Sequence, residues 1–149
     1  MAHETPTTNA QNERGQLLTE KAKALLAGTV ARDKLADDVV VLDVASLTTV
    51  SSFLVICSAE SVRQVKAVAE AVDEALLREG VRLLRREGVE HGRWILLDYG
   101  DVIVHVFHHE VRAFYNIERL WGDASTVALP GDRPVERRQA ARFEKAELL

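Results

Sequence analysis

The sequence has only one cysteine, Cys57, and three prolines in 149 residues. A lone thiol excludes an intrachain disulfide, and with it every small bridge-stapled scaffold; this fits a reducing compartment. Charge of one sign does not dominate either: 19 Lys and Arg against 23 Asp and Glu leave a net charge of −4. A chain that grips phosphates usually carries a basic field, so direct nucleic-acid binding is not expected, and a basic protein partner fits better. Long hydrophobic runs are missing. The longest stretch without a charged residue, Val44 to Ala59, is sixteen residues. It is interspersed with Ser and Thr and falls short of the roughly 20 apolar residues of a membrane helix. The N-terminal MAHETPTTNAQNERG has neither a basic nor an apolar block, so no signal peptide is expected and a cytoplasmic location is.

What remains is an ordinary soluble composition, 47% hydrophobic and 28% charged, enough for one domain with its own core. Residues 1–14 are polar and read as a disordered tail. Residues 15–124 carry the periodic segments. Residues 125–149, with Leu129-Pro130-Gly131 near their start, read as a linker and a charged tail.

Within 15–124 the hydrophobic spacing predicts a helix over Gln16–Ala27, with Gly28 as its stop. Val39–Leu42 and Ser51–Cys57 are short runs of strand length. Ser61 opens the clearest helix. Ser61 and Gln64 form a capping-box pattern, and Val65, Val68, Ala69, Val72, Ala75 and Leu76 make one apolar stripe ended by Gly80. Val81–Glu87 suggests an amphipathic edge strand. Arg93–Leu97 and Val102–Phe107 flank Asp98-Tyr99-Gly100-Asp101, the pattern of a β-hairpin. Glu110–Leu120 reads as one or two short helices. The fold class is therefore α/β (α+β), a mixed sheet of about five strands flanked by helices.

Four constellations invite chemistry. Asp98 and Asp101 could be paired metal carboxylates, but they bracket a turn, where Asp is favoured for local reasons. His105, His108 and His109 lack a second Cys, and strand parity sets His105 and His108 on opposite faces. Cys57 lies in an apolar run, as a small buried hydrophobe does. The loop Ser58–Ser61 enters a helix N-terminus but has no glycine-rich phosphate motif. No catalytic residue, metal ligand or cofactor is assigned. Trp94, Tyr99 and Trp121 suit an interface and a core equally.

The stretch Trp94–Phe107, WILLDYGDVIVHVF, resembles the signature of the ribosomal silencing factor (RsfS, or Iojap) family. Ser61-Val-Arg63-Gln64-Val65 resembles the family's S-x-R-Q-V. Glu110-Val-Arg112-Ala-Phe114-Tyr115-Asn-Ile117-Glu118-Arg-Leu120-Trp121-Gly-Asp123-Ala124 is similar to its E-x-R-x-F-Y-x-L-E-x-L-W-x-D-A block, and Lys34–Val39 to the approach to its first strand. Two positions depart from the pattern. Ser52 precedes Phe53 where an Asp often stands, and Ala59 follows Ser58 where Gly is usual.

The resemblance implies a nucleotidyltransferase-like fold without the catalytic motif, since no D-x-D occurs near a strand end. It implies a translational repressor, not an enzyme, that binds the large ribosomal subunit through its protein number fourteen and blocks joining with the small subunit. A divergent Mg-dependent nucleotidyltransferase using Asp98 and Asp101 is the alternative, and a homodimer is left open. On this reading Trp94 and Tyr99 are apolar anchors of the contact, and Asp98, Asp101, Glu110 and Asp123 its acidic contacts.

Overall fold

A computed structural model describes residues 18–132. The expected tail at 1–14 and most of the charged tail lie outside the described residues. The elements run α1 (Glu20–Asp33), β1 (Asp37–Asp43), β2 (Phe53–Ala59), α2 (Val62–Arg78), β3 (Arg85–Glu87), β4 (Trp94–Asp98), β5 (Val102–His108), α3 (His109–Tyr115), α4 (Ile117–Leu120) and β6 (Ser125–Val127). The strands form a single six-stranded sheet in the order β3-β4-β5-β2-β1-β6. β2 and β5 are parallel, and the other neighbours are antiparallel.

Side chains alternate between the two faces of the sheet. On the first face Val41, Val55, Cys57, Val104, Val106, Ile95 and Leu97 meet the buried stripes of α1 and α2 in one core. The α2 stripe is the one its periodicity predicts: Val65, Val68, Ala69, Val72, Ala75 and Leu76 are all buried. Fully burying a side chain such as Val or Leu contributes about 1.5–3 kcal/mol, so this stripe anchors the helix. Its cap also forms. Ser61 Oγ accepts from the Gln64 amide at 3.1 Å, but the Gln64 side chain donates to the Lys34 and Leu35 carbonyls instead of reaching back.

Three expectations are corrected. Gly28 does not stop α1, which starts at Glu20 and continues to Asp33. It is buried mid-helix, where a Cβ would stand 2.8 Å from Leu129 Cδ2 and 3.2 Å from Val41 Cγ2. The residue is small because the helix approaches the sheet closely, and Ala24, Ala27 and Ala31 share that buried face. Next, the strand expected at Val81–Glu87 is confined to the exposed edge Arg85–Glu87. Finally, the chain past Ala124 is part of the sheet. Ser125–Val127 pairs antiparallel with Val41–Asp43, and Leu129 is buried in the first-face core. The missing signal was length: three residues are too few to show a hydrophobic period.

The second face has its own cluster of Val40, Leu42, Leu54, Ile56, Phe107, Ile117 and Ala124. It is covered unevenly. The α3–α4 segment lies over the β1–β2–β5 side, while Trp94, Leu96 and Ile103 toward the β4 side remain half-exposed.

Candidate functional site

The β4–β5 hairpin forms as its residues suggest. Trp94 pairs with Phe107, Leu96 with His105 and Asp98 with Ile103. Gly100 holds φ +90° in the connecting loop, a conformation that favours glycine. Odd and even positions of the hairpin go to opposite faces, and this separates the residues expected to act together.

Trp94 is on the open second face. Its ring centroid lies 4.7 Å from that of Phe107 and 5.1 Å from that of Tyr115. Its Nε1–H donates to His105 Nδ1 at 3.0 Å. Tyr99 is on the other side of the sheet. It is buried, and its hydroxyl donates to Asp73 Oδ1 at 2.8 Å. Burial pushes the phenol well above its ordinary value, with the adjoining Asp73 carboxylate acting in the same direction. Arg86 closes the group by pairing with Asp73 Oδ2 at 3.1 Å. Tyr99 thus locks the hairpin loop to α2, and its expected role as a surface anchor is corrected.

The carboxylates also divide. Asp98 Oδ1 accepts from the Gly100 amide at 2.8 Å, and Arg85 lies at 3.4 Å from its Oδ2. Asp101 Oδ2 pairs with Lys23 Nζ at 2.9 Å, tying the hairpin to α1. Its Oδ1 is buried without a hydrogen-bond partner. The two acids face different cations and do not converge, so the paired-carboxylate arrangement is not there. Glu110 and Asp123 are exposed, Glu110 with Arg93 at 3.9 Å.

The three histidines diverge in the same way. His105 faces Trp94, His108 Nδ1 accepts from the Glu110 amide, and His109 Nε2 lies 2.8 Å from Asp37 Oδ2. Among the described residues no group of three or more His, Cys, Asp or Glu side chains is placed to hold a metal ion. Cys57 is fully buried, and that burial pushes its thiol up to about 12, Arg112 opposing only in part. A thiol so raised is not a nucleophile at neutral pH.

What the structure brings together beside the open half of the second face is a chain of rings, Trp94 to Tyr115 to Phe114, with Leu120 exposed farther along the α3–α4 segment. Phe114 is 79% exposed, Leu120 78% and Tyr115 54%, with Trp94 and Trp121 half-buried. Phe114 and Tyr115 stack edge to face at 5.0 Å. A partly buried ion pair shapes this segment. Arg112 donates to both Glu118 oxygens, at 3.2 and 3.0 Å, and also to Ser58 Oγ at 3.0 Å. Asn116, in the left-handed conformation that Asn tolerates, makes the break between α3 and α4. Phe114, Tyr115 and Leu120 were not singled out as contact residues from the sequence. Their exposure depends on which side of a seven-residue and a four-residue helix meets the sheet.

The family model described as "Ribosomal silencing factor during starvation" matches residues 18–148. The chain is 44% identical over 106 residues to the Ribosomal silencing factor RsfS of Halalkalibacterium halodurans, covering 71% of this chain and 91% of that protein. To the Bacillus subtilis protein of the same name it is 37% identical over 112 residues, 75% of this chain and 95% of that one. Protein Iojap of Zea mays, chloroplastic, is 34% identical over 97 residues, 65% of this chain and 42% of its own length. A crystal structure of a Chromobacterium violaceum protein superposes with a TM-score of 0.68 at 36% identity, covering 78% of this chain and 90% of that one. A Bacillus halodurans crystal structure gives 0.62 at 41%, covering 70% and 94%. With its mixed sheet, its hairpin and its segment-long agreement with these proteins, the chain belongs to the ribosomal silencing factor family.

Proposed function

We propose that this chain is a cytoplasmic translational repressor that binds the large ribosomal subunit through its protein number fourteen and sterically prevents the small subunit from joining. The observation that carries the reading is the chain of touching rings Trp94, Tyr115 and Phe114, the last two open to solvent, with exposed Leu120 and half-buried Trp121 on the segment that follows. Exposed aromatics gathered in one patch are the composition of an interface core. Steric exclusion needs no chemistry at the site, only affinity. Glu110 and Asp123 are exposed on the same segment; complementary charge opposite them on a basic ribosomal protein would speed encounter and orient the complex. Of the contact set expected from sequence, the proposal keeps Trp94, Glu110 and Asp123, with Asp98 at the margin of the open face. It replaces Tyr99, which is buried, and Asp101, which is paired with Lys23, with Phe114, Tyr115 and Leu120.

Co-sedimentation with purified ribosomal subunits tests this. Wild type is expected to pellet with the large subunit and to reduce the fraction of joined ribosomes. Leu120→Asp with Phe114→Ser should abolish both effects while leaving the circular-dichroism spectrum unchanged, because both side chains are exposed. Undiminished binding by that double variant would remove this surface from the interface. Binding to neither subunit by wild type would overturn the function.

A further inference from the structure

The indole of Trp94 has one polar atom, and the fold uses it internally. Trp94 and His105 lie on neighbouring strands of the hairpin, one pair out of register on the same face, since Trp94 opposes Phe107 and Leu96 opposes His105. Diagonal neighbours of this kind are within reach of large side chains. Here they make an N–H···N hydrogen bond of 3.0 Å with ring centroids 5.9 Å apart. His105 is itself stacked on Phe107, with centroids at 6.0 Å and an 11° interplanar angle. Tyr115 touches the indole from α3, with centroids at 5.1 Å. The indole is therefore held by rings from β5 and α3, and its donor is taken by an imidazole that is 8% exposed. Because Nδ1 accepts, the proton of the neutral ring is on Nε2.

We propose that His105 is a positioning residue for the docking surface: it fixes the Trp94 indole in one orientation and withdraws its N–H, so that Trp94 presents only carbon to a partner. This rests on the reading of that surface as the ribosome-binding face and specifies the chemistry opposite Trp94. The partner surface there is aliphatic or aromatic, not a carbonyl awaiting a donor. A free interfacial tryptophan typically offers both a ring and a donor. This one offers the ring, already ordered, so less rotamer freedom is lost on binding.

The test uses the full chain with His105→Asn and His105→Gln. The Asn carbonyl stands near the place of Nδ1 and can still accept from the indole; the Gln carbonyl extends toward the place of Nε2 and cannot. In the ¹⁵N-labelled wild type, a scalar coupling across the hydrogen bond between Trp94 Nε1 and His105 Nδ1 is expected. Affinity for purified large subunits should be retained by His105→Asn and weakened about 3- to 10-fold by His105→Gln, the cost of ordering one side chain. His105→Leu, matched in size and without an acceptor, should behave as His105→Gln does. Equal affinity of His105→Asn and His105→Gln, or no coupling in wild type, would overturn the proposal. Failure of wild type to bind the large subunit would overturn the docking reading instead, while the coupling would still decide whether His105 holds Trp94.

Discussion

Acid should destabilise this protein through one imidazole. Burial pulls His105 down from its ordinary 6.5 to about 4, and burial is the only cause, with no charged neighbour contributing. A base held neutral by the fold takes up its proton more readily when unfolded. Between pH 6.5 and about 4 the unfolded chain is protonated at this position and the folded chain is not, so stability falls as the pH falls through that window. At roughly 1.4 kcal/mol per pH unit, the span from 6.5 to about 4 amounts to about 3 kcal/mol at most. Above pH 6.5 the contribution is flat. Carboxylates also lose stability in acid, so the measurement must isolate His105. Urea unfolding at half-unit steps from pH 4.5 to 7.5 for wild type and His105→Leu does so. The variant has no imidazole at this position, and the difference between the two curves should slope by about 1 kcal/mol per pH unit below 6.5. Parallel curves throughout would refute the reasoning and mean that the ring is better solvated or better paired than its burial implies.

Other perturbations have defined outcomes. Tyr99→Phe removes the hydroxyl that donates to Asp73 at 2.8 Å; it should cost about 1–2 kcal/mol by thermal unfolding and leave ribosome binding unchanged, unlike a change in the exposed surface. Gly28→Val should destabilise by about 1–3 kcal/mol, because the branched side chain meets Leu129 and Val41 where α1 approaches the sheet; urea midpoints will show it. Gly88→Ala should be as costly, about 2–3 kcal/mol, since Gly88 has φ +84° and an added Cβ would fall 2.0 Å from the Trp94 carbonyl oxygen. Its indole resonance should shift as well, because the backbone that carries Trp94 must move.

Much of the architecture was legible in the chain because periodicity reports directly on burial. The stripe from Val65 to Leu76, the Ser61 cap and the hairpin around Gly100 are local, and each formed as its residues suggest. The family motifs within Trp94–Phe107 and Glu110–Ala124 were equally plain in the sequence. Where burial depends on a distant partner, the local pattern misleads. Gly28 looks like a helix stop, yet its smallness answers to Leu129, a hundred residues on. The three residues of β6 have no period to read, and only the exposed edge of β1 makes them a strand.

The candidate site divides in the same way. Sequence alone marked Trp94 and the Glu110–Asp123 segment, because they fall within motifs that resemble an ordered family pattern. It could not separate Trp94 from Tyr99, five positions apart in one hairpin. Tertiary structure decided that. An odd spacing on a strand sends two side chains to opposite faces. Two helices, α1 and α2, pack on the Tyr99 face and bury it, while only the short α3–α4 segment lies over the other. Asp101 is partly buried and engaged within the fold for a related reason: Lys23 reaches it from α1. Which aromatics are open to a partner is thus set by how many helices each face of the sheet receives, a property of the whole assembly that no stretch of the chain contains.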